Sequence, residues 1–300
     1  FPYADPRIPT SYQSNPRDYL DWVLQPGRQV IEPEPNNTIA TATALQGYIA
    51  EMQIDPRMGV GTDVTGVATE IKLLNINGDA WPDLVTALNS QNLINVQLAT
   101  GPGAFGVPHT YAPGFALPGI GWSDYRNVLA VGDLNGDGRD DIAVAGRTSN
   151  TVVTYLSNAD GTLGTPITTT AGNTPAAVEI RDLNGDGKAD LVTANADAVV
   201  GVHLGNGDGT FQTRQQYATS GGVTRDVLIA DVDGNGTLDI LAGSEFSDVS
   251  LLRGNGNGTF QPRTTYSTWS ADLLFLEEVN GDGKLDLVIG VGSVFRVALG

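Results

Sequence analysis

A nine-residue motif recurs five times along this chain of 300 residues. A recurring motif at near-constant spacing restricts the fold to a repeat architecture. The clearest copies are Asp133-Leu-Asn-Gly-Asp-Gly-Arg-Asp-Asp141 and Asp182-Leu-Asn-Gly-Asp-Gly-Lys-Ala-Asp190. Asp231-Val-Asp-Gly-Asn-Gly-Thr-Leu-Asp239 and Glu278-Val-Asn-Gly-Asp-Gly-Lys-Leu-Asp286 follow. A degenerate copy, Asn75-Ile-Asn-Gly-Asp-Ala-Trp-Pro-Asp83, comes first. Motif starts are 58, 49, 49 and 47 residues apart.

The chemistry of the motif points to calcium. Oxygen-bearing side chains occupy loop positions 1, 3, 5 and 9. Calcium takes about six to eight hard oxygen ligands in a flexible geometry. Alternate side chains on a tightly curled loop aim several oxygens at one centre. The backbone carbonyl at position 7 (Trp81, Arg139, Lys188, Thr237 or Lys284) adds another, and Asp at position 9 closes the site. Gly at positions 4 and 6 lets the chain turn where a Cβ would clash. The first copy offers Asn75, Asn77, Asp79 and Asp83, with only two carboxylates and Ala80 in place of Gly, so it is the weaker site. An EF-hand begins similarly but needs Glu at position 12 and flanking helices. Position 12 is Thr86, Val144, Thr193, Ala242 and Ile289, and the flanks are β-type, so an EF-hand is excluded. The competing reading is five Asn/Asp/Gly turns without metal. Four near-complete copies in register weigh against it.

Charge and composition fit the same picture. The net charge is −18, and 15 of the 34 acidic residues lie inside the five loops. The acidity is therefore mostly a count of ligands, and it argues against a nucleic-acid partner, which needs a basic surface. With 38 Gly, 16 Pro, no Cys and few helical patterns, the composition predicts an all-β fold with many turns. No apolar run is long enough for a membrane span. The start at Phe1 suggests a processed mature form, and calcium loops suggest an extracellular or cell-surface location.

Each loop is flanked by short apolar strands. Residues 127–134 lead into the second loop, 141–147 leave it, and 151–157 follow. The later units repeat this at 176–183, 190–196 and 199–205, at 226–232, 239–245 and 248–254, and at 273–279, 286–292 and 294–300. Near-continuous Val, Ile, Leu and Ala mark strands buried on both faces. A glycine hairpin follows the third strand, as in Gly205-Asn-Gly-Asp-Gly-Thr-Phe211, Gly254-Asn-Gly-Asn-Gly-Thr-Phe260 and the looser Ser157-Asn-Ala-Asp-Gly-Thr-Leu163. More polar fourth strands follow at 213–219 and 263–268. Four antiparallel strands per repeat describe one propeller blade.

The loops and glycine hairpins together resemble FG-GAP/VCBS repeats, the units of integrin α-subunit-type β-propellers. The resemblance covers residues 57–300. It implies a loop between the first two strands of each blade that binds Ca²⁺. Carried over by position, the side-chain ligands would be Asp133, Asn135, Asp137 and Asp141, then Asp182, Asn184, Asp186 and Asp190. The next sets are Asp231, Asp233, Asn235 and Asp239, and Glu278, Asn280, Asp282 and Asp286. Glu278 departs from the usual Asp. The chain stops after the third strand of the fifth unit, and 53–66 aligns with a fourth-strand position. A five-bladed ring whose last blade is completed by this N-terminal strand is expected, with a seven-bladed parent as the alternative.

Residues 1–56 lack the repeat. They form a Pro- and aromatic-rich arm, with a short helix expected at 16–24. The arm packs on its own propeller or docks on a neighbouring subunit. His109 and His203 lie near no recognisable nucleophile, so no catalytic constellation is expected. The expected function is a secreted, calcium-stabilised propeller that works by binding a protein or glycan surface, or by self-assembly through the arm. A carbohydrate-binding lectin and a polysaccharide-lyase-type enzyme are the alternatives. Tyr111, Tyr155, Tyr217 and Tyr266 are candidate ligand-facing aromatics, although blade packing explains them equally well.

Overall fold

Short Val/Ile/Leu runs bounded by glycine turns become β-strands throughout, because branched side chains pack well on a pleated surface and Gly supplies the turns. The computed structural model describes residues 68–88, 91–101, 104–117, 127–245, 248–266, 271, 273–291 and 294–298. The chain divides into two compact units, Phe1–Gln53 and Ile54–Gly300, and all described residues belong to the second. The arm at 1–56, the helix at 16–24 and the completing strand at 53–66 lie outside the described residues.

The first sheet begins with β1 (Ala68–Leu74), β2 (Asp83–Leu88) and β3 (Leu93–Gln97). A small hairpin of β4 (Ala99–Gly101) and β5 (Ala104–Phe105) then intervenes before the outer strand β6 (His109–Tyr111). The first motif interval is the longest, and this hairpin lies within it. The second sheet comprises β7 (Leu129–Gly132), β8 (Asp141–Gly146), β9 (Thr151–Tyr155) and β10 (Ile167–Thr170). The third comprises β11 (Pro175–Arg181), β12 (Asp190–Asn195), β13 (Val199–His203) and β14 (Gln215–Ala218). The fourth comprises β15 (Thr224–Ala230), β16 (Asp239–Ser244), β17 (Val249–Leu252) and β18 (Thr264–Tyr266). The fifth has three described strands, β19 (Leu273–Glu277), β20 (Asp286–Val291) and β21 (Val294–Ala298).

Every sheet is an antiparallel meander in chain order, and no helix occurs among the described residues. First strands of successive sheets touch in the order β1, β7, β11, β15, β19. Tandem four-stranded sheets stacked through their first strands are the blades of a β-propeller. The second strands β8, β12 and β16 are buried along their whole length, as expected for strands sandwiched by neighbouring sheets. The outer strands β10 and β14 alternate between half-buried and exposed.

Adjacent sheets are also latched by tyrosine. Tyr111 Oη accepts the Leu163 N–H at 3.1 Å, and Tyr217 Oη accepts the Phe260 N–H at 3.3 Å. Both donors sit in the glycine hairpin of the following sheet. Tyr155 is buried and donates to the Ala112 carbonyl at 3.0 Å. Three of the four candidate tyrosines thus serve packing, and Tyr266 alone is exposed, at 46%.

Candidate functional site

The nine-residue motif occupies the same place in all five sheets. The last residue of each first strand pairs with the ninth loop position: Leu74 with Asp83, Gly132 with Asp141, Arg181 with Asp190, Ala230 with Asp239, and Glu277 with Asp286. Loop positions 1 to 8 therefore form the connection itself, at one end of every sheet.

Inside the loop, side-chain oxygens hold the backbone in a tight curl. Asp133 Oδ1 accepts the Gly136 N–H at 2.7 Å and Oδ2 accepts the Gly138 N–H at 2.8 Å. Asp182 does the same with Gly185 and Gly187, each at 2.8 Å. These two glycine positions have φ of +74° and +81° in the second loop, a conformation that a side chain would strain. Oδ1 of the position-5 residue accepts the N–H of position 7, at 3.0 Å for Asp137 with Arg139 and 2.9 Å for Asp186 with Lys188. The same bond joins Asn235 to Thr237, Asp282 to Lys284 and Asp79 to Trp81.

The donor set fits a hard dication. In the fourth loop, carboxylate oxygens of Asp231, Asp233 and Asp239 lie within 4.8 Å of one another. Three converging carboxylates with partial burial repel one another unless a cation neutralises them. The second, third and fifth loops carry Asn at position 3 and Asp at position 5, so they also offer three carboxylates each, and only the first loop offers two. Asn135, Asn184 and Asn280 turn their amides onto the position-5 carboxylate, at 2.9, 3.2 and 3.2 Å.

Two loops depart from this pattern. Asn75 Oδ1 receives the Gly78 N–H at 2.8 Å, while its amide donates to the Asp79 carbonyl at 2.7 Å. Ala80 adopts no positive φ, so the sixth-position N–H is not delivered to Asn75. Glu278 Oε1 takes both the Asn280 and Gly281 N–H groups, because the longer side chain reaches over the loop with one oxygen.

Position 9 has a second role that the motif did not reveal. All five aspartates there are fully buried. In each, Oδ2 accepts the N–H of loop position 2: Ile76 at 3.0 Å, Leu134 at 2.9 Å, Leu183 at 2.9 Å, Val232 at 3.1 Å and Val279 at 2.9 Å. In the four whose partner is among the described residues, Oδ1 accepts an N–H at or beside the turn after the third strand: Ala99, Ser157, Gly205 and Gly254, each at 2.8 Å. The aspartate braces loop to hairpin. A carboxylate has about four lone-pair sites, so bracing does not preclude metal ligation. The available signal was the fixed offset of 15 or 16 residues between the ninth position and that turn. Burial raises the Asp141 pKa to about 6 against the opposing pull of the Ser157 and Leu134 N–H groups. Burial likewise raises Asp190 and Asp239. His203 is buried in β13 and held near 4 by desolvation and the nearby Arg214 cation, which makes it a neutral packing residue.

Comparison with known proteins places these loops in context. A family described as FG-GAP-like repeat matches residues 75–144, 133–193, 182–242 and 231–289, each match running from one loop to the strand beyond the next. No curated protein matches. Among solved structures, a lectin from Agrocybe aegerita, titled for recognition of non-reducing terminal N-acetylglucosamine, is 25% identical, with a TM-score of 0.49 over 65% of this chain. The chain spans about half of the lectin's length, 51%. The structure titled BBS1N in complex with ARL6DN has a TM-score of 0.51 and 16% identity, over 79% of this chain and 66% of that one. The latter likeness supports the fold.

Proposed function

The chain belongs to the FG-GAP-like repeat family, and from that premise we propose that it is a calcium-stabilised β-propeller acting outside the cytosol by binding or assembly. The observation that carries the proposal is the convergence of Asp231, Asp233 and Asp239 within 4.8 Å, in a loop repeated with near-identical hydrogen bonding through the fold. The residues that would hold calcium are the side chains at positions 1, 3, 5 and 9 and the backbone carbonyl at position 7. When bound, the cation supplies positive charge that neutralises the converging carboxylates and fixes the loop. The protein's own residues curl the backbone, present the oxygens and brace the loop against the hairpin.

The metal is structural in this reading, and no catalytic step is assigned. An extracellular setting follows from the calcium supply that sites of this kind require, with affinities of about 10⁻⁴ to 10⁻³ M typical of extracellular modules. Partners would be protein or glycan surfaces, and the arm at 1–56 is the candidate connector for self-assembly.

The test is calorimetric titration of calcium into chelator-stripped full-length protein. Four or five equivalents are expected, with Asp231→Ala removing one. A stoichiometry of zero at millimolar calcium overturns the proposal.

A further inference from the structure

The third and fourth sheets carry a Phe-Gln-x-Arg segment at the same place, Phe211-Gln-Thr-Arg214 and Phe260-Gln-Pro-Arg263, differing only at Thr213 and Pro262. The two arginines nevertheless behave differently. Arg214 folds back across β13 and donates from Nη1 to the Ala171 carbonyl at 2.6 Å. It fits only because Gly201 has no side chain, since a Cβ there would sit 2.9 Å from Arg214 Cδ. In the fourth sheet the equivalent of Gly201 is Ser250, as the ladders show: Gly201 pairs with Gln216 and Ser250 with Thr265. Ser250 is fully buried, and its hydroxyl accepts the Ser220 N–H at 2.8 Å. A side chain thus stands where the third sheet has none. Arg263 is exposed, and its guanidinium makes no hydrogen bond or ion pair with a described residue.

Beside Arg263 lies a cleft of about 510 Å³ between the third and fourth sheets. Its polar lining is Gln216, Gln261, Thr265 and Arg263, and its aromatic lining is Tyr217 and Phe260. Leu252 lines it where the third sheet carries His203. Among the described residues none of the lining is acidic, in a chain of net charge −18.

We propose that this cleft binds a carboxylated saccharide, with Arg263 taking the carboxylate. Arg presents a planar fork that matches a carboxylate with two parallel hydrogen bonds. Each glutamine offers both a donor and an acceptor, the combination a hydroxyl requires. Tyr217 and Phe260, edge to face at 5.3 Å between ring centroids, pack on each other and form the rigid wall beside these polar groups. This deepens the binding-module reading and rests on it.

The test uses the calcium-loaded full chain with trigalacturonate and its neutral methyl ester, followed by calorimetry. Trigalacturonate is expected to bind, with the ester weaker by at least about tenfold, as for loss of a charged hydrogen bond. Arg263→Gln should lose at least about tenfold in affinity, and Arg214→Gln should keep it. Ser250→Gly should weaken binding too, because it removes that side chain from β17 and lets Arg263 fold away. Absence of acid binding, equal binding of the ester, or undiminished binding by Arg263→Gln would each overturn the proposal. The last outcome would assign the carboxylate to the metal loops. If calcium still raises the melting temperature while no saccharide binds, this proposal alone fails; if calcium has no effect, the module reading fails first.

Discussion

The first and fourth loops share a scaffold and differ in the oxygens they present. Asp83 and Asp239 are both fully buried and make the same two braces, to loop position 2 and to the segment after the third strand. Yet the fourth loop gathers three carboxylates within 4.8 Å, whereas the first opens with Asn75, whose amide is spent on the Asp79 carbonyl. The brace survives where the ligand set decays. Position 9 therefore has a folding role in both loops, whatever the loop holds, because a buried pair of N–H groups left without acceptors would be expensive.

Removing calcium should have the largest effect. At a hundredfold excess over its dissociation constant, each bound ion contributes about 2.7 kcal/mol. Thermal melts in excess chelator should therefore fall well below melts in calcium, and coincident curves would break the metal assignment. Next comes the brace. In chelator, Asp83→Ala and Asp239→Ala should each destabilise by about 2–5 kcal/mol, because each strands two buried donors. Equal losses in the two loops sharpen the comparison; a loss confined to Asp239→Ala would show that residual metal, not the brace, explains it.

A smaller effect concerns pH. Glu70 on β1 accepts the Leu129 N–H of the next sheet at 2.9 Å, and Asp226 on β15 accepts the Leu274 N–H at 2.8 Å. Both follow a bulge that shifts the register of the first strand. Burial raises Glu70 to about 7, chiefly against the opposing Lys72 charge, and Asp226 to about 6. The folded state thus binds these protons more tightly than the unfolded chain. Their contribution to stability is fully present below the unfolded values near 4 and is lost as pH rises through about 6 to 7. In chelator, the melting temperature should rise on acidification from pH 7.5 to 5. Glu70→Gln should flatten the upper part of that slope, and an unchanged slope would refute the assignment. The smallest effect is expected for Asn75→Asp. It adds a third carboxylate to the first loop and should strengthen calcium binding there by a few fold, provided the backbone at Ala80 allows it. No change would identify Ala80, rather than Asn75, as the limiting residue.

Motif spacing determined the repeat, composition and short apolar runs the all-β class, and the resemblance to FG-GAP repeats the place of each loop between the first two strands. These are local properties: Gly at positions 4 and 6, alternating oxygens, and apolar runs of strand length. The loops at Asp133, Asp182 and Asp231 were legible for the same reason. The second role of position 9 was not, because its partner lies 15 or 16 residues away across a strand. The tyrosines at 111 and 217 read equally as ligand-facing or packed until the neighbouring sheet supplied the N–H each accepts. Likewise, Arg214 and Arg263 sit in near-identical tetrapeptides. The residue across the ladder differs, Gly201 beside the folded-back Arg214 and Ser250 beside the exposed Arg263, and that difference is visible only once the strands are paired. Local chemistry wrote the repeat into the sequence; steric competition between strands brought together in space decided what each copy does.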